Sequence, residues 1–83
     1  MPLYMDVHKM GGTVSMDDVA KAHQADLALQ GPYDVSYLRY WVDEAAGRIF
    51  CLVEAPDADA AATVHREAHG LVADQINQVQ EGS

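Results

Sequence analysis

The fold is decided by two neighbouring stretches, Val35-Ser-Tyr-Leu-Arg-Tyr-Trp-Val-Asp43 and Arg48-Ile-Phe-Cys-Leu-Val-Glu54. Both are rich in the β-branched and aromatic residues that are enriched in strands. A short polar segment, Asp43-Glu-Ala-Ala-Gly47, connects them, and its glycine is typical of a tight turn. The two stretches therefore predict a β-hairpin in the middle of the chain.

A strand and a helix are predicted before this hairpin. Residues 3–8 alternate between apolar Leu3, Met5 and Val7 and the opposite set Tyr4, Asp6 and His8, which is the period of a half-buried strand. Gly11-Gly12 ends it. Ser15 is a predicted N-cap, and the helix that follows is predicted to end at Gly31-Pro32. Its predicted buried stripe comprises Met16, Val19, Ala20, His23 and Leu27.

A second helix and a final strand are predicted after the hairpin. Pro56 ends the sheet segment, Asp57 or Asp59 caps the helix, and Gly70 ends it. The inward-facing positions of this helix are predicted to be Ala61, Val64, His65 and Ala68. Residues 74–80 form a weaker strand. The order β-α-β-β-α-β predicts a ferredoxin-like α+β fold over residues 1–83 as one domain, with a four-stranded antiparallel sheet and both helices on one face.

The other face of such a sheet carries aromatic and apolar residues from several strands. A surface of this kind is rarely left bare in water. Two sheets packed face to face would cover it, so we expect a homodimer of the dimeric α+β barrel type.

Composition restricts the partners. Thirteen acidic against five basic residues give a net charge of −8, which disfavours nucleic acid and anionic membranes and favours cations. The single cysteine, Cys51, allows no intrachain disulfide and suits a reducing compartment. The sequence shows no signal peptide and no apolar run of about 20 residues. A cytoplasmic protein is therefore expected.

The pair His65 and His69 is the strongest local indication of chemistry. Residues four apart are neighbours on a helix, so two imidazoles at this spacing can bind one metal ion. The zinc-protease pattern requires Glu directly after the first histidine, where this chain has Arg66. A metalloprotease is therefore disfavoured. The alternative is two unrelated histidines, with His69 near the helix C-terminus, where a cation is favoured.

Further candidate ligands lie on the first helix and the strands. Asp26 follows His23 by three residues and can orient its ring, as an outer partner of a metal site or as a general-base pair. The alternative is a structural hydrogen bond. Asp6 and His8 share one strand face, either as ligands or as a solvated strand end. Glu54 is a further possible oxygen ligand or a solvated residue, whereas Cys51 is interpreted mainly as a small buried residue.

Five segments together resemble a known family: Tyr4-Met-Asp-Val-His8, Ala22-His-Gln-Ala-Asp-Leu27, Tyr37-Leu-Arg-Tyr-Trp41, Cys51-Leu-Val-Glu-Ala-Pro56 and Val64-His-Arg-Glu-Ala-His-Gly70. From about Pro2 to Gly82 the chain is similar to small bacterial nickel-binding proteins with a ferredoxin-like fold, an uncharacterised-domain family. The resemblance implies a dimer and a nickel-type divalent site. By segment position its candidate ligands are Asp6, His8, His23, Asp26, Glu54, His65 and His69.

Three functions remain open. The first is binding of Ni(II) or another divalent transition metal for sequestration, buffering or sensing, which suits imidazole and carboxylate ligands. The second is a small cofactor-free enzyme, a monooxygenase or isomerase, with His23 and Asp26 as the base. A deep cavity between sheet and helices that binds an aromatic ligand would favour that function, and a tightly filled core would count against it. The third is an interaction module in which the histidines only serve structure. An enzyme is the less favoured expectation.

Overall fold

A computed structural model describes residues 1–82, so residue 83 of the predicted domain lies outside the described residues. The elements occur in the predicted order and confirm the α+β fold: β1 (Leu3–Lys9), α1 (Met16–Leu29), β2 (Ser36–Asp43), β3 (Arg48–Glu54), α2 (Ala58–Ala68) and β4 (Gln75–Val79). A short 3-10 helix, Gly31–Tyr33, follows α1. Four antiparallel strands form one sheet in the order β2-β3-β1-β4, which places β1 centrally.

Local capping explains where both helices begin. The Ser15 hydroxyl accepts a hydrogen bond from the backbone N–H of Asp18, and the Asp57 carboxylate accepts one from Ala60. Each cap satisfies a backbone donor that the first helical turn leaves free. The Glu44 carboxylate, from the β2–β3 turn, accepts from the N–H of Met16. The hairpin thus fixes the start of α1, the helix that carries Asp26.

The β2–β3 turn also depends on a glycine at one position. Gly47 has φ of +69°, and a Cβ added there would lie 1.8 Å from the carbonyl oxygen of Gly12. Only glycine fits such a contact without moving the backbone. The Gly47 carbonyl in turn accepts from the N–H of Met10. The loop that follows β1 is therefore held against the hairpin.

One face of the sheet is covered by the two helices. Alternation along the strands directs Tyr4, Asp6 and His8 of β1 and Ile49, Cys51 and Val53 of β3 to this face. The core combines apolar side chains with four buried polar ones. Its apolar members are Val19, Val35, Tyr37, Ile49, Cys51, Val53, Ala55, Ala61 and Val64, and its polar members are Asp6, His8, Asp26 and His65.

The predicted buried stripe of α1 is wrong at both ends. Met16 is 45% exposed and Leu27 is 38% exposed, whereas Val19 and Asp26 are buried. The helix is rotated so that a carboxylate, rather than the leucine beside it, faces α2. Asp26 is stable there because His65 of α2 and His69 at the C-cap of α2 contact its Oδ1 atom. A buried charge of this kind requires such partners.

Candidate metal centre

His65 lies at the centre of the polar cluster in the core. Its side chain is 2% exposed, and each of its ring nitrogens faces a carboxylate. Nε2 lies 2.9 Å from Asp6 Oδ2, and Nδ1 lies 2.8 Å from Asp26 Oδ1. The imidazole ring stacks on Tyr37 with centroids 4.3 Å apart, and the Tyr37 hydroxyl donates to Asp6 Oδ2. Strand β1, helix α1 and helix α2 therefore all orient this one ring.

His69, four residues after His65 at the C-cap of α2, contacts the same Asp26 carboxylate. We call Asp26, His65 and His69 the outer triad. His69 Nε2 lies 3.1 Å from Asp26 Oδ1 and 3.1 Å from His65 Nδ1, so the three ligand atoms are 2.8, 3.1 and 3.1 Å apart. Neighbouring ligands of an octahedral ion with bonds of about 2.1 Å are about 3.0 Å apart. The outer triad is thus spaced as one face of such an octahedron.

A second group of ligands shares His65. This inner group consists of Asp6, His8, Cys51 and His65, all buried, with one ligand atom each within 4.8 Å of the others. His8 Nε2 lies 3.3 Å from Asp6 Oδ1. Within residues 1–82, Asp6 Oδ1 and His65 Nε2 have no hydrogen-bond partner of acceptable direction. Buried atoms in this state are costly, and a bound cation would satisfy both.

Cys51 is the member of the inner group that the sequence did not identify as a ligand. The β1–β3 register places Cys51 directly opposite Asp6, and their side chains share a sheet face. Burial, and then the Asp6 charge, raise the pKa of the Cys51 thiol well above its ordinary value. Without a metal the thiol is therefore neutral at physiological pH. The alternation along β3 is a sequence signal that Cys51 is buried, but only the β1–β3 register shows that it lies opposite Asp6.

The protonation of His65 follows from its two carboxylate neighbours. Burial lowers its pKa, but hydrogen bonding to Asp26 and Asp6 and their charges more than compensate, and they raise the pKa to about 9. Burial raises the pKa of Asp6, yet contacts with His65 and His8 outweigh it, and the net pKa is well below the ordinary value. At pH 7 the metal-free centre therefore holds a cationic His65 beside an ionised Asp6.

His69 and His23 behave differently. Burial lowers the pKa of both side chains below the ordinary value for histidine. Both imidazoles are consequently neutral at pH 7 and each keeps a lone pair on one nitrogen. His69 Nδ1 accepts a hydrogen bond from the backbone N–H of Leu71, which places the proton of the neutral ring on Nε2. Metal binding through Nε2 therefore requires His69 to change tautomer, and His65 to lose a proton.

A cavity of about 510 Å³ opens above the outer triad, and all three triad residues line it. Its walls are mainly apolar and come from the β1–α1 loop, α1, β3 and the segment after α2. The apolar wall residues are Met10, Val14, Val19, Ala22, Ile49 and Leu71, and the polar residues Thr13, Ser15 and Asp18 also line the cavity. Asp6 does not line the cavity. The other inner-group residues, His8, Cys51 and His65, do line it, so the two groups differ in that Asp6 is shielded from the cavity and His69 is only partly buried.

Two predicted site residues belong to neither group. His23 lines the cavity, with its ring 4.7 Å from the ring of Tyr40. Asp26 Oδ1 contacts His65 and His69 instead of His23. Glu54 lies at the end of β3, opposite Leu3 and Ser36, and alternation directs its side chain away from the face that carries Cys51.

Fold and site together define a class: a small α+β protein of ferredoxin-like topology with a buried cluster of His, Asp and Cys suited to a divalent metal. A family model described as "Nickel responsive protein SCO4226-like" matches residues 4–79, and the chain belongs to this family. The resemblance to small bacterial proteins is thereby confirmed.

A solved structure supports the same family. SCO4226 from Streptomyces coelicolor A3(2), whose crystal structure is known, is 40% identical to this chain in sequence, and the two structures superpose with a TM-score of 0.90. The match covers 98% of this chain and 99% of that one. No curated protein matches the chain. Within residues 1–82, neither helix has the length and apolar character needed to cross a bilayer.

Proposed function

We propose that this protein binds a divalent transition metal, nickel first, for sequestration, buffering or sensing, and that the outer triad holds the ion. The observation that carries the proposal is the spacing of the three ligand atoms, 2.8 to 3.1 Å apart at the floor of a cavity. Two imidazole nitrogens and one carboxylate oxygen suit Ni, Zn, Co or Cu. The family description names nickel, and the net charge of −8 favours cations.

Asp6 has a supporting role in this proposal. An ion on His65 Nδ1 leaves the remaining ring proton on Nε2, which lies 2.9 Å from Asp6 Oδ2 but is not directed at it as a hydrogen bond. Metal-binding histidines commonly donate their second N–H to a carboxylate, so we expect the His65 ring to turn towards Asp6 when the ion binds. His8 and Cys51 belong to the inner group, which is the alternative location for the ion. His23 and Glu54 remain predicted ligands that neither group includes.

The proposal is tested by calorimetric titration of chelator-treated, tag-free protein with Ni(II), then Zn(II) and Cu(II), at pH 7.5. We expect one nickel ion per chain with a Kd in the low micromolar range or tighter. Absence of heat together with an unchanged melting temperature would contradict metal binding, because a ligand of the folded state must stabilise it.

Nickel affinity should fall as the pH is lowered. Binding requires His65 Nδ1 without its proton, and the pKa of His65 in the metal-free protein is about 9. Below that pKa each pH unit reduces the neutral fraction about tenfold, so affinity should drop about 100-fold between pH 8 and pH 6. Titrations in buffers of different ionisation enthalpy should show about one proton released per nickel at pH 7. An affinity independent of pH over this range would exclude His65 as a ligand.

We further propose that the uncovered sheet face forms a homodimer. Val7, Phe50 and Trp41 are aligned across three strands on this face, and Trp41 is 48% exposed. Leu3, Met5 and Leu52 extend the patch and are only partly buried. Pairing two such faces removes a contiguous apolar surface from water.

A Trp41→Glu variant should therefore be monomeric. A charge in the middle of a packed apolar interface loses its hydration without a partner. Light scattering after size exclusion should give the 9.0 kDa mass of one chain for this variant and about twice that mass for the wild type. Leu27→Glu, on the exposed side of α1, is the control and should remain dimeric. A wild-type mass of one chain at micromolar concentration would contradict the dimer.

A further inference from the structure

The cavity above the outer triad is larger than a hydrated ion requires. An ion held by three protein ligands keeps three open octahedral positions, and three waters occupy about 90 Å³ at about 30 Å³ each. The cavity measures about 510 Å³. Pockets for small organic ligands are about 300–1,000 Å³. Most of this space is therefore available to something other than water on the metal.

The walls favour an organic occupant with an apolar body. Met10, Val14, Ala22 and Leu71 present apolar surface to the cavity, and water is held poorly in apolar surroundings. Met10 is 38% exposed and Leu71 is 40% exposed, so apolar surface continues to solvent. A molecule with an apolar body would cover these side chains on entering.

The aromatic side chains of the cavity favour a planar ring. His23 and Tyr40 both line the cavity, with ring centroids 4.7 Å apart and planes inclined at 43°. Aromatic rings attract one another in stacked or edge-on arrangements at centroid distances of about 4.5–7 Å. The tilted pair offers one further ring such a contact.

The floor of the cavity determines the polar end of the ligand. An octahedral ion held by the outer triad would leave three adjacent positions open, about 3.0 Å apart. Two neighbouring oxygen atoms on a ring can occupy two of them.

We propose that the metal-loaded protein binds a small catechol-type ligand: a single aromatic ring with two adjacent hydroxyl groups that chelate the ion, one hydroxyl proton passing to solvent. This inference rests on the proposed function, because the triad alone offers no open coordination positions. The ring would lie between the apolar walls and the His23–Tyr40 pair. The cavity is then a binding site for an organic molecule. A site that bound only the ion would not need a cavity of this size.

The test uses 4-nitrocatechol, whose visible absorption shifts when it binds a metal. Nickel loading of each protein is measured first, and the probe is then titrated into the loaded protein. We expect a saturable shift at one probe per bound nickel, and no shift with metal-free protein. Ala22→Leu should weaken probe binding at least tenfold because it fills the cavity wall. Ala28→Leu, the same substitution on the exposed side of α1, should bind the probe like the wild type.

Several outcomes would overturn the inference. Nickel-loaded protein that gives no shift would do so while leaving metal binding intact. Removal of nickel from the protein by the probe, seen as a coloured small-molecule fraction on gel filtration, would also overturn the inference. Equal probe affinity in Ala22→Leu and Ala28→Leu would overturn it as well. A protein that takes up no nickel in the first step contradicts both the inference and the proposed function.

Discussion

A His69→Ala variant is expected to bind nickel at least about 100-fold more weakly than the wild type while keeping its fold. The substitution removes one of three protein ligands, and loss of an outer partner alone typically costs about 10–100-fold in metal affinity. The fold should survive because the His69 side chain is 13% exposed at the end of α2. Its one backbone contact, the hydrogen bond accepted from the N–H of Leu71, contributes about 1 kcal/mol.

His23→Ala is the matched control for this experiment. His23 also lines the cavity, and burial lowers the pKa of both histidines, but only His69 belongs to the outer triad. The His23 variant should therefore keep nickel affinity within about threefold. Calorimetry on both variants at pH 7.5 measures the difference. Equal losses in the two variants, or no loss in His69→Ala, would show that the ion is bound elsewhere.

A His65→Ala variant is expected to lose about 3–5 kcal/mol of its free energy of unfolding in the absence of metal. The ring is the shared partner of two buried carboxylates, Asp6 and Asp26, and removing one member of a buried charged pair typically costs this much. For a domain of this size each 1 kcal/mol lowers Tm by about 4–8 °C. Thermal unfolding should therefore show a Tm at least about 12 °C lower.

Two further measurements separate charge from lost packing. The double variant His65→Ala, Asp26→Asn should be more stable than the single variant, because one buried charge is gone. In the wild type the pKa of His65 is about 9, against an ordinary 6.5. Its stabilising contribution is therefore complete below pH 6.5 and is lost as the pH rises towards 9. The Tm difference between wild type and His65→Ala should shrink over that range, and a difference that widened would contradict the charge argument.

Local signals were sufficient to predict the order of elements. The alternation of residues 3–8, the caps at Ser15 and Asp57 and the glycine before β3 each act within a few residues of sequence. The buried side of α1 did not follow from such signals. Asp26 is buried only because His65 of α2 and His69 at the end of α2 lie across from it, 39 and 43 residues away along the chain. No periodicity within α1 contains that information.

Some residues of the candidate site could likewise be placed from local sequence, whereas others could be placed only from the structure. The four-residue spacing of His65 and His69 was enough to place both rings on one helix face. Cys51 joined the inner group only once the β1–β3 register set it opposite Asp6. For Glu54 a local argument was available: it lies three residues after Cys51, and an odd offset in a strand reverses the face. Its assignment as a ligand stays a prediction that the cluster geometry does not support.

The most direct test of the central claim is anomalous diffraction at the nickel absorption edge, on crystals of tag-free protein loaded with one equivalent of Ni(II) at pH 7.5. We predict one strong anomalous peak per chain, about 2.1 Å from Asp26 Oδ1, His65 Nδ1 and His69 Nε2, with its open side towards the cavity. A peak within the inner group alone, a peak only on surface residues, or no peak would contradict binding by the outer triad.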